Sequence, residues 1–389
     1  MSSLSSRINR GMPIYVAALN MRAGQIAITP IITVIGIDLG LSTIELSWLA
    51  SIPVLCFAFA SPLTSWVSRM GSVDRILSVA MWVLAFSLVL RATGSVIALY
   101  VFTFVMGLAI ATLNVFLPAW VKEYGGKDSG LFTGIYVTIM GVVSGIAVGV
   151  SVPLSKLNSL GWQMAFVPWA LIAAISAYWW QRRMRDQTLS KHTPNEVSHF
   201  KVLIKSKVAW QVTLFFGLQS TNAYAAGTWL PTILYDKGFE LIHAGAAVAV
   251  TGLLGSLFAV GVPHIAAKRA DQRLVLVIAT GFAGIGFLGV MLDSGWRLVI
   301  WIMVASIGTS ATFPLALILV VLRSSDSNHA QALSAMMQSF GYLLAATGPI
   351  FMGVLYQISG AWTFGLAVMI LISGVQILAG LGAAKSGTA

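Results

Sequence analysis

The sequence predicts an all-α integral membrane protein with twelve transmembrane helices. Three observations support this fold class: 58% of the 389 residues are hydrophobic, only 9% are charged, and the mean hydropathy is +0.88. Soluble domains carry about 25% charged and about 45–50% apolar residues. The composition therefore excludes a water-soluble enzyme and a soluble nucleic-acid-binding protein.

Twelve segments are long and apolar enough to cross a bilayer as helices, which takes about 20 residues each. They lie near 13–36, 46–67, 76–93, 96–120, 131–152, 163–181, 208–234, 242–267, 274–291, 296–322, 330–357 and 361–384.

The basic residues indicate the orientation, because cytoplasmic loops of membrane proteins carry an excess of Lys and Arg. With both termini in the cytoplasm, 18 of the 23 basic residues fall on the cytoplasmic face. Four fall on the outer face (Arg91, Lys156, Lys237 and Arg297), and Arg22 lies inside the first span. This distribution explains the net charge of +11 without nucleic acid as a partner. The single cysteine, Cys56, excludes an internal disulfide and a cysteine-built zinc site.

The chain repeats itself weakly at a spacing of 200 or 201 residues. Matching positions are Pro30 and Pro231, Pro62 and Pro263, Gly107 and Gly308, and Trp162 and Trp362. Six plus six helices around a long basic loop resemble the major facilitator superfamily, whose halves are parallel repeats with substrate bound near the midplane. We therefore expect a six-helix half at 1–181, a cytoplasmic loop at 182–207 and a second half at 208–389.

The loop between the second and third spans matches the signature of that superfamily in part. Arg69 and Gly71 stand at the expected places, and Asp74 and Arg75 follow directly. The resemblance implies that these four residues form a cytoplasmic latch that gates transport.

Arg22 is the most informative polar residue in the spans. It lies about ten residues into the first span, where a guanidinium costs at least about 2.5–3.5 kcal/mol. All twelve acidic residues fall in loops or at span ends, so we expect no carboxylate at the depth of Arg22. Two interpretations stay open: a structural arginine bonded to carbonyl or amide groups, or an electropositive floor for an anionic or electron-rich substrate.

Further polar side chains fall in spans that line the central cavity of this fold. The candidates for binding substrate together with Arg22 are Asn20, Asn114, Tyr136, Gln219, Tyr224, Gln338 and Tyr342. No HExxH motif, paired intramembrane acids or mid-span histidine is present, so we expect no enzymatic activity, catalytic residue, metal or cofactor. We interpret the histidines as interfacial and structural, and a gate or proton carrier is the alternative for His264, near the end of the eighth span.

Several stretches resemble one branch of the superfamily, the bacterial cyanate and 2-nitroimidazole transporters. They are Leu19-Asn-Met-Arg22, Asn114-Val-Phe-Leu-Pro118, Thr133-Gly-Ile-Tyr136, Gly217-Leu-Gln-Ser220 and Gln338-Ser-Phe-Gly-Tyr342. The resemblance implies a transporter of a small anionic or electron-rich solute in the bacterial inner membrane, working by alternating access.

The absence of an intramembrane carboxylate favours facilitated uptake or exchange over proton-driven pumping. We expect a monomer whose partners are a small-molecule substrate and the lipid bilayer. A multidrug exporter of the same fold is the alternative, although a buried arginine argues against cationic substrates. A transport-inactive sensor with this fold also stays open.

Overall fold

The computed structural model describes residues 8–59, 67, 71–157, 159–184, 203–259, 261–269, 271–325 and 327–384. Within these ranges the regular structure is helical and no strand occurs. Each of the twelve predicted spans overlaps one or more of the described helices, which confirms the all-α membrane fold. Nine helical segments of this described part are long and apolar enough to cross a membrane by length and composition.

The chain divides into two compact units. The first comprises the described parts of Met1–Leu39 and Phe59–Asn195, and the second those of Gly40–Ala58 and Glu196–Ala389. The helices of the first unit are α1 (Met12–Ala18), α2 (Ala23–Ile26), α3 (Ile32–Leu39), α5 (Val73–Leu90), α6 (Val96–Tyr124), α7 (Ser129–Ser155) and α8 (Val167–Met184). Those of the second are α4 (Thr43–Ala58), α9 (Lys207–Asp236), α10 (Leu241–Ala259), α11 (Val262–Ala267), α12 (Arg273–Leu292), α13 (Arg297–Leu322), α14 (Ser327–Ser359) and α15 (Thr363–Ala383).

Helix α4 belongs to the second unit because it packs tightly on α14. Gly353 of α14 lies so close to α4 that a Cβ there would collide with Ser47 Oγ and lie 3.0 Å from the Thr43 carbonyl oxygen. At the same end of α4, Gln357 Oε1 accepts a hydrogen bond of 3.1 Å from the Ile44 amide. The predicted boundaries at 1–181, 182–207 and 208–389 stay a prediction, and most of the predicted central loop lies outside the described residues.

The first membrane segment is not one continuous helix. Helix α1 ends at Ala18, α2 covers only Ala23–Ile26, and a 3₁₀ turn at Thr29–Ile31 leads into α3. Pro30 lies in this 3₁₀ turn and has no amide hydrogen to donate to a regular helix. The sequence predicts a continuous span at 13–36, and the interruption at 19–22 is a finding of the structure.

The internal repeat reappears in matching contacts. In the first unit the Trp162 indole donates a hydrogen bond of 2.7 Å to Asp38, and in the second the Trp362 indole donates one of 2.7 Å to Asp236. The aspartates are 198 residues apart and the tryptophans 200. The same helix-end contact is therefore built twice from related segments.

In the second unit, α12 and α13 cross at glycines. A Cβ on Gly308 would collide with the Ala283 amide nitrogen and approach the Ala279 carbonyl oxygen to 2.7 Å, and backbone atoms cannot rotate away. Gly281 of α12 has open space where its Cβ would be.

We predict that Gly308→Ala destabilises the protein by about 1–3 kcal/mol through overpacking. Gly281→Ala should be neutral or slightly stabilising, because alanine favours helix over glycine by about 1 kcal/mol. Thermal unfolding of the two purified variants in one detergent checks this. Equal melting temperatures would contradict the close approach of α12 and α13.

Candidate functional site

The break in the first membrane segment centres on Arg22. Its backbone has φ −130° and ψ −35°, outside the helical range, and Arg22 is the N-cap of α2. Its side chain is partly exposed. Irregular backbone at membrane depth is tolerated only where it is buried in protein or lines a water-filled cavity. Arg22 therefore lies on a non-helical segment of the backbone. Discontinuous helices of this kind form the binding sites of many transporters.

The polar neighbours of Arg22 are buried. Asn20 is 3% exposed, and its Nδ2 donates to the Val16 carbonyl at 3.0 Å and lies 4.0 Å from Met81 Sδ. Gln25 is also buried, and its Oε1 accepts no hydrogen bond in the described part of the chain. Asn20 thus anchors the end of α1, while Gln25 offers an unused acceptor beside the break.

Arg91 is a residue that sequence reasoning misses. The charge count assigns it to the outer face, and it does follow the last residue of α5, but its side chain turns inward and is only 1% exposed. Its Nη1 donates to the Gly24 carbonyl at 3.1 Å and lies 3.0 Å from Met106 Sδ. The guanidinium carbon stands 4.3 Å from the ring centre of Phe166.

This contact joins Arg91 to the Arg22 segment. Gly24 lies in the last turn of α2, where a helix leaves its carbonyls without intrahelical partners. A cation near a helix C-terminus supplies the missing donor and favourable charge. Arg91 therefore supports the short helix whose first flanking residue is Arg22. Hydropathy does not reveal the direction of this side chain.

The other two candidates in the first unit lie on separate helices. Asn114 is partly exposed on α6, and Tyr136 is buried on α7 at 9% exposure.

In the second unit the candidate tyrosines belong to an aromatic cluster made of Phe57, Phe216, Tyr224 and Tyr342. The Tyr342 ring meets Phe57, Phe216 and Tyr224 edge-on, at centroid distances of 5.5, 5.2 and 6.4 Å. The rings come from α4, α9 and α14, so span patterns alone do not bring them together. Tyr342 is buried, whereas Tyr224 is partly exposed.

Two glycines allow this cluster to form. A Cβ on Gly217 would lie 3.2 Å from Gly341 Cα, and a Cβ on Gly341 would collide with the Phe216 ring. Helices α9 and α14 therefore cross closely where the sequence motifs of the seventh and eleventh spans meet.

The candidate amides of the second unit form local hydrogen bonds. Gln219 is 2% exposed, donates to Ser220 Oγ at 2.5 Å and accepts from Thr312 Oγ1 at 3.5 Å. Gln338 is partly exposed and donates to Ser334 Oγ at 3.0 Å, one turn away on α14. Gln219 is thus held between helices, and Gln338 is the more accessible amide.

Of the predicted gating residues, Arg69 lies outside the described residues. Gly71 has φ +134°, a conformation suited to glycine, and Ser72 caps α5 by accepting from the Arg75 amide at 3.4 Å. The Arg75 side chain is exposed. These residues form the turn that starts α5, and their gating role stays a prediction.

Asp74 has a buried environment of its own. It is 2% exposed and accepts hydrogen bonds from the Trp120 and Trp180 indoles, at 3.1 and 3.2 Å, and from the Tyr124 hydroxyl at 3.1 Å. Burial and the charge of Asp74 raise the pKa of Tyr124. Asp74 also lies in the first turn of α5, where a negative charge is favoured. It ties the ends of α5, α6 and α8 together.

Across the described ranges, no group of three or more His, Cys, Asp or Glu side chains could hold a metal ion. The side chain of His264 lies outside the described residues.

We predict that Arg91→Gln lowers substrate affinity about tenfold, because a hydrogen bond to a charged donor is worth about 1.5–3 kcal/mol and its loss loosens α2. Arg91→Lys should recover part of this loss, since it keeps the charge. The measurement is the concentration dependence of uptake into proteoliposomes. Lys156→Gln, which removes an exposed charge, is the control. Wild-type affinity in Arg91→Gln would refute a positioning role.

Comparison with known proteins places the chain in a family. Residues 14–292 match the model of the Major Facilitator Superfamily. The 2-nitroimidazole transporter of Escherichia coli K12 is 30% identical over 96% of this chain and 94% of its own length. The cyanate transport protein CynX of the same organism is 25% identical over 92% of this chain and 93% of its own.

The fold is also similar to that of a solved transporter. A bacterial homologue of the human lysosomal transporter Spinster, crystallised inward-facing and unoccupied, superposes with a TM-score of 0.77 at 15% identity, covering 98% of this chain and 97% of that one. Because the family model matches well over half of the sequence, the chain belongs to the Major Facilitator Superfamily of membrane transporters.

Proposed function

We propose that this transporter moves a small anionic or electron-rich solute, of the cyanate or nitroimidazole kind, across the bacterial inner membrane by alternating access. Relatives named for a nitroimidazole and for cyanate support this substrate class. Both solutes are small and planar or linear, with electron-rich oxygen or nitrogen atoms that accept hydrogen bonds.

The observation that carries the proposal is the helix break at Arg22. A guanidinium at membrane depth is costly unless it faces a cavity or polar partners, and irregular backbone there occurs where it is buried in protein or lines a cavity. Its planar fork of donors suits a cyanate, a nitro group or a carboxylate better than it suits a cation. In this proposal Arg22 binds the electron-rich end of the solute, with Asn20, Asn114 and Tyr136 as the further candidates of the first unit.

The aromatic cluster of the second unit supports a solute with a π-system. Aromatic pairs contribute about 0.5–1.5 kcal/mol beyond the area that they bury. The partly exposed Tyr224 ring is the member that a planar solute would meet, and Gln219, Gln338 and Tyr342 are the further candidates of this unit.

The coupling proposed is facilitated uptake or exchange. The buried carboxylate of Asp74 accepts hydrogen bonds from two indole donors at helix ends. These contacts favour a structural role for Asp74, and the proposal does not use it as a proton carrier.

We predict that Arg22→Ala weakens binding of the native anion about 30-fold or more, because truncating one partner of a buried charged hydrogen bond costs about 2–5 kcal/mol. Arg22→Lys should recover only part, since lysine lacks the planar fork. The measurement is thermal stabilisation of purified protein by cyanate, thiocyanate, nitrate, small carboxylates, 2-nitroimidazole and lipophilic cations. A ligand at a hundredfold excess over its Kd stabilises the fold by about 2.7 kcal/mol.

Arg297→Gln is the matched control, because Arg297 is an exposed arginine paired with Asp293 at a helix end. Stabilisation by lipophilic cations alone, unchanged in Arg22→Ala, would reject the anion site and favour a multidrug exporter.

We also predict that Tyr224→Leu weakens 2-nitroimidazole binding about threefold to tenfold while cyanate binding changes little, since only the aromatic solute loses ring stacking. Tyr224→Phe, which keeps the ring, should bind both as the wild type does. Equal losses for both solutes in Tyr224→Leu would show that the residue acts through packing of the cluster instead.

A further inference from the structure

A second feature, apart from the substrate candidates, lies on the second unit. A cavity of about 280 Å³ opens between α11, α12 and α13. Its walls are apolar side chains such as Ile265, Ile278, Phe282 and Ala311, and among the described lining residues Arg269 is charged. We call it the α11–α13 groove.

The groove lies on a surface suited to lipid. Ile265, Leu274 and Ile278 are 49%, 57% and 52% exposed, although all three are large and apolar. A patch of this kind is rare on a surface that faces water. On helices that cross a membrane it is the surface that acyl chains cover.

One end of the groove is basic. Lys268 and Arg269 are both exposed in the segment between α11 and α12, and Arg273 begins α12. The Asp271 carboxylate lies in the same segment, with Oδ2 3.9 Å from Arg273 Nε. The positive-inside count puts this segment at the cytoplasmic surface, where headgroups lie.

The basic segment is also held in place. Gln272 Nε2 donates to the Arg269 carbonyl at 2.5 Å, and Gln272 Oε1 accepts from Arg323 Nη2 at 2.8 Å. Arg323 donates in turn to the carbonyls of Ala383 and Ala384 at the end of α15. The mouth of the groove is therefore pre-formed, which reduces the ordering cost of binding.

We propose that the α11–α13 groove is a binding site for an anionic glycerophospholipid. One acyl chain fills the apolar cavity, and the phosphate meets the Arg269 guanidinium at the mouth. Arginine and phosphate form charge-assisted, often bidentate, hydrogen bonds. Basic pockets between membrane helices at the cytoplasmic side bind anionic headgroups in this way. The apolar walls exclude the small polar solutes proposed for transport.

The test is native mass spectrometry of the delipidated full-length protein with dioleoyl phosphatidylglycerol or dioleoyl phosphatidylcholine. We expect the anionic lipid to bind more tightly to the wild type, and Arg269→Gln to weaken it about fivefold while phosphatidylcholine binding stays unchanged. Ala311→Leu, which fills the cavity but keeps the charge, should weaken both lipids at this site. The melting temperature of each variant checks that it folds.

Arg297→Gln is the control for loss of one exposed positive charge at the other end of α13, and it should keep the preference for the anionic lipid. Equal binding of the two lipids by the wild type, or an unchanged preference in Arg269→Gln, would overturn the proposal. Loss of the preference in Arg297→Gln as well would overturn it too, because the attraction would then depend on net charge alone. Substrate binding at Arg22 is measured independently of these outcomes.

Discussion

In the hydrocarbon core, every backbone N–H and C=O group has to find its partner inside the protein. Continuous helices meet this requirement along most of the chain, so the interruption between Ala18 and Ala23 is the exception that needs support. Arg91 provides it by donating to the Gly24 carbonyl in the last turn of α2. A non-helical segment that carries Arg22 thus depends on a second arginine from another helix.

The same solution recurs at two helix ends of the second unit. Lys237 donates to the carbonyls of Val290 and Asp293 at the end of α12, as Arg323 does at the end of α15. Cations near helix C-termini satisfy carbonyls and complement the helix dipole. With 23 basic and 12 acidic residues, the chain cannot pair every cation with a carboxylate. Helix-end carbonyls take over part of that role for Arg91, Lys237 and Arg323.

Aspartates at helix ends are stabilised in a different way, by hydrogen bonds from tryptophan indoles. The hydrogen bond from Trp301 holds the pKa of Asp293 below its usual value. Asp74 accepts from two tryptophans. Tryptophan occurs commonly at membrane interfaces because one side of the ring is apolar and its N–H is a donor. The lowered pKa keeps Asp293 ionised at its helix end, and Asp74 is held at another helix end by its indole donors.

Hydropathy and charge suffice to predict the twelve helices, and the repeat spacing already connects Trp162 with Trp362. The sequence does not predict the break at Arg22. Residues 19–22 contain neither Gly nor Pro, and they do not interrupt the hydrophobic periodicity of a helix. Tertiary contacts stabilise the break, above all those of the Arg91 side chain. The direction of that side chain follows from its packing against Met106 and Phe166. The aromatic cluster likewise needs three helices at once. Residue patterns along the chain thus predict where helices lie. The chemistry of the candidate site depends on contacts between residues far apart in sequence, which hydrophobic periodicity does not predict.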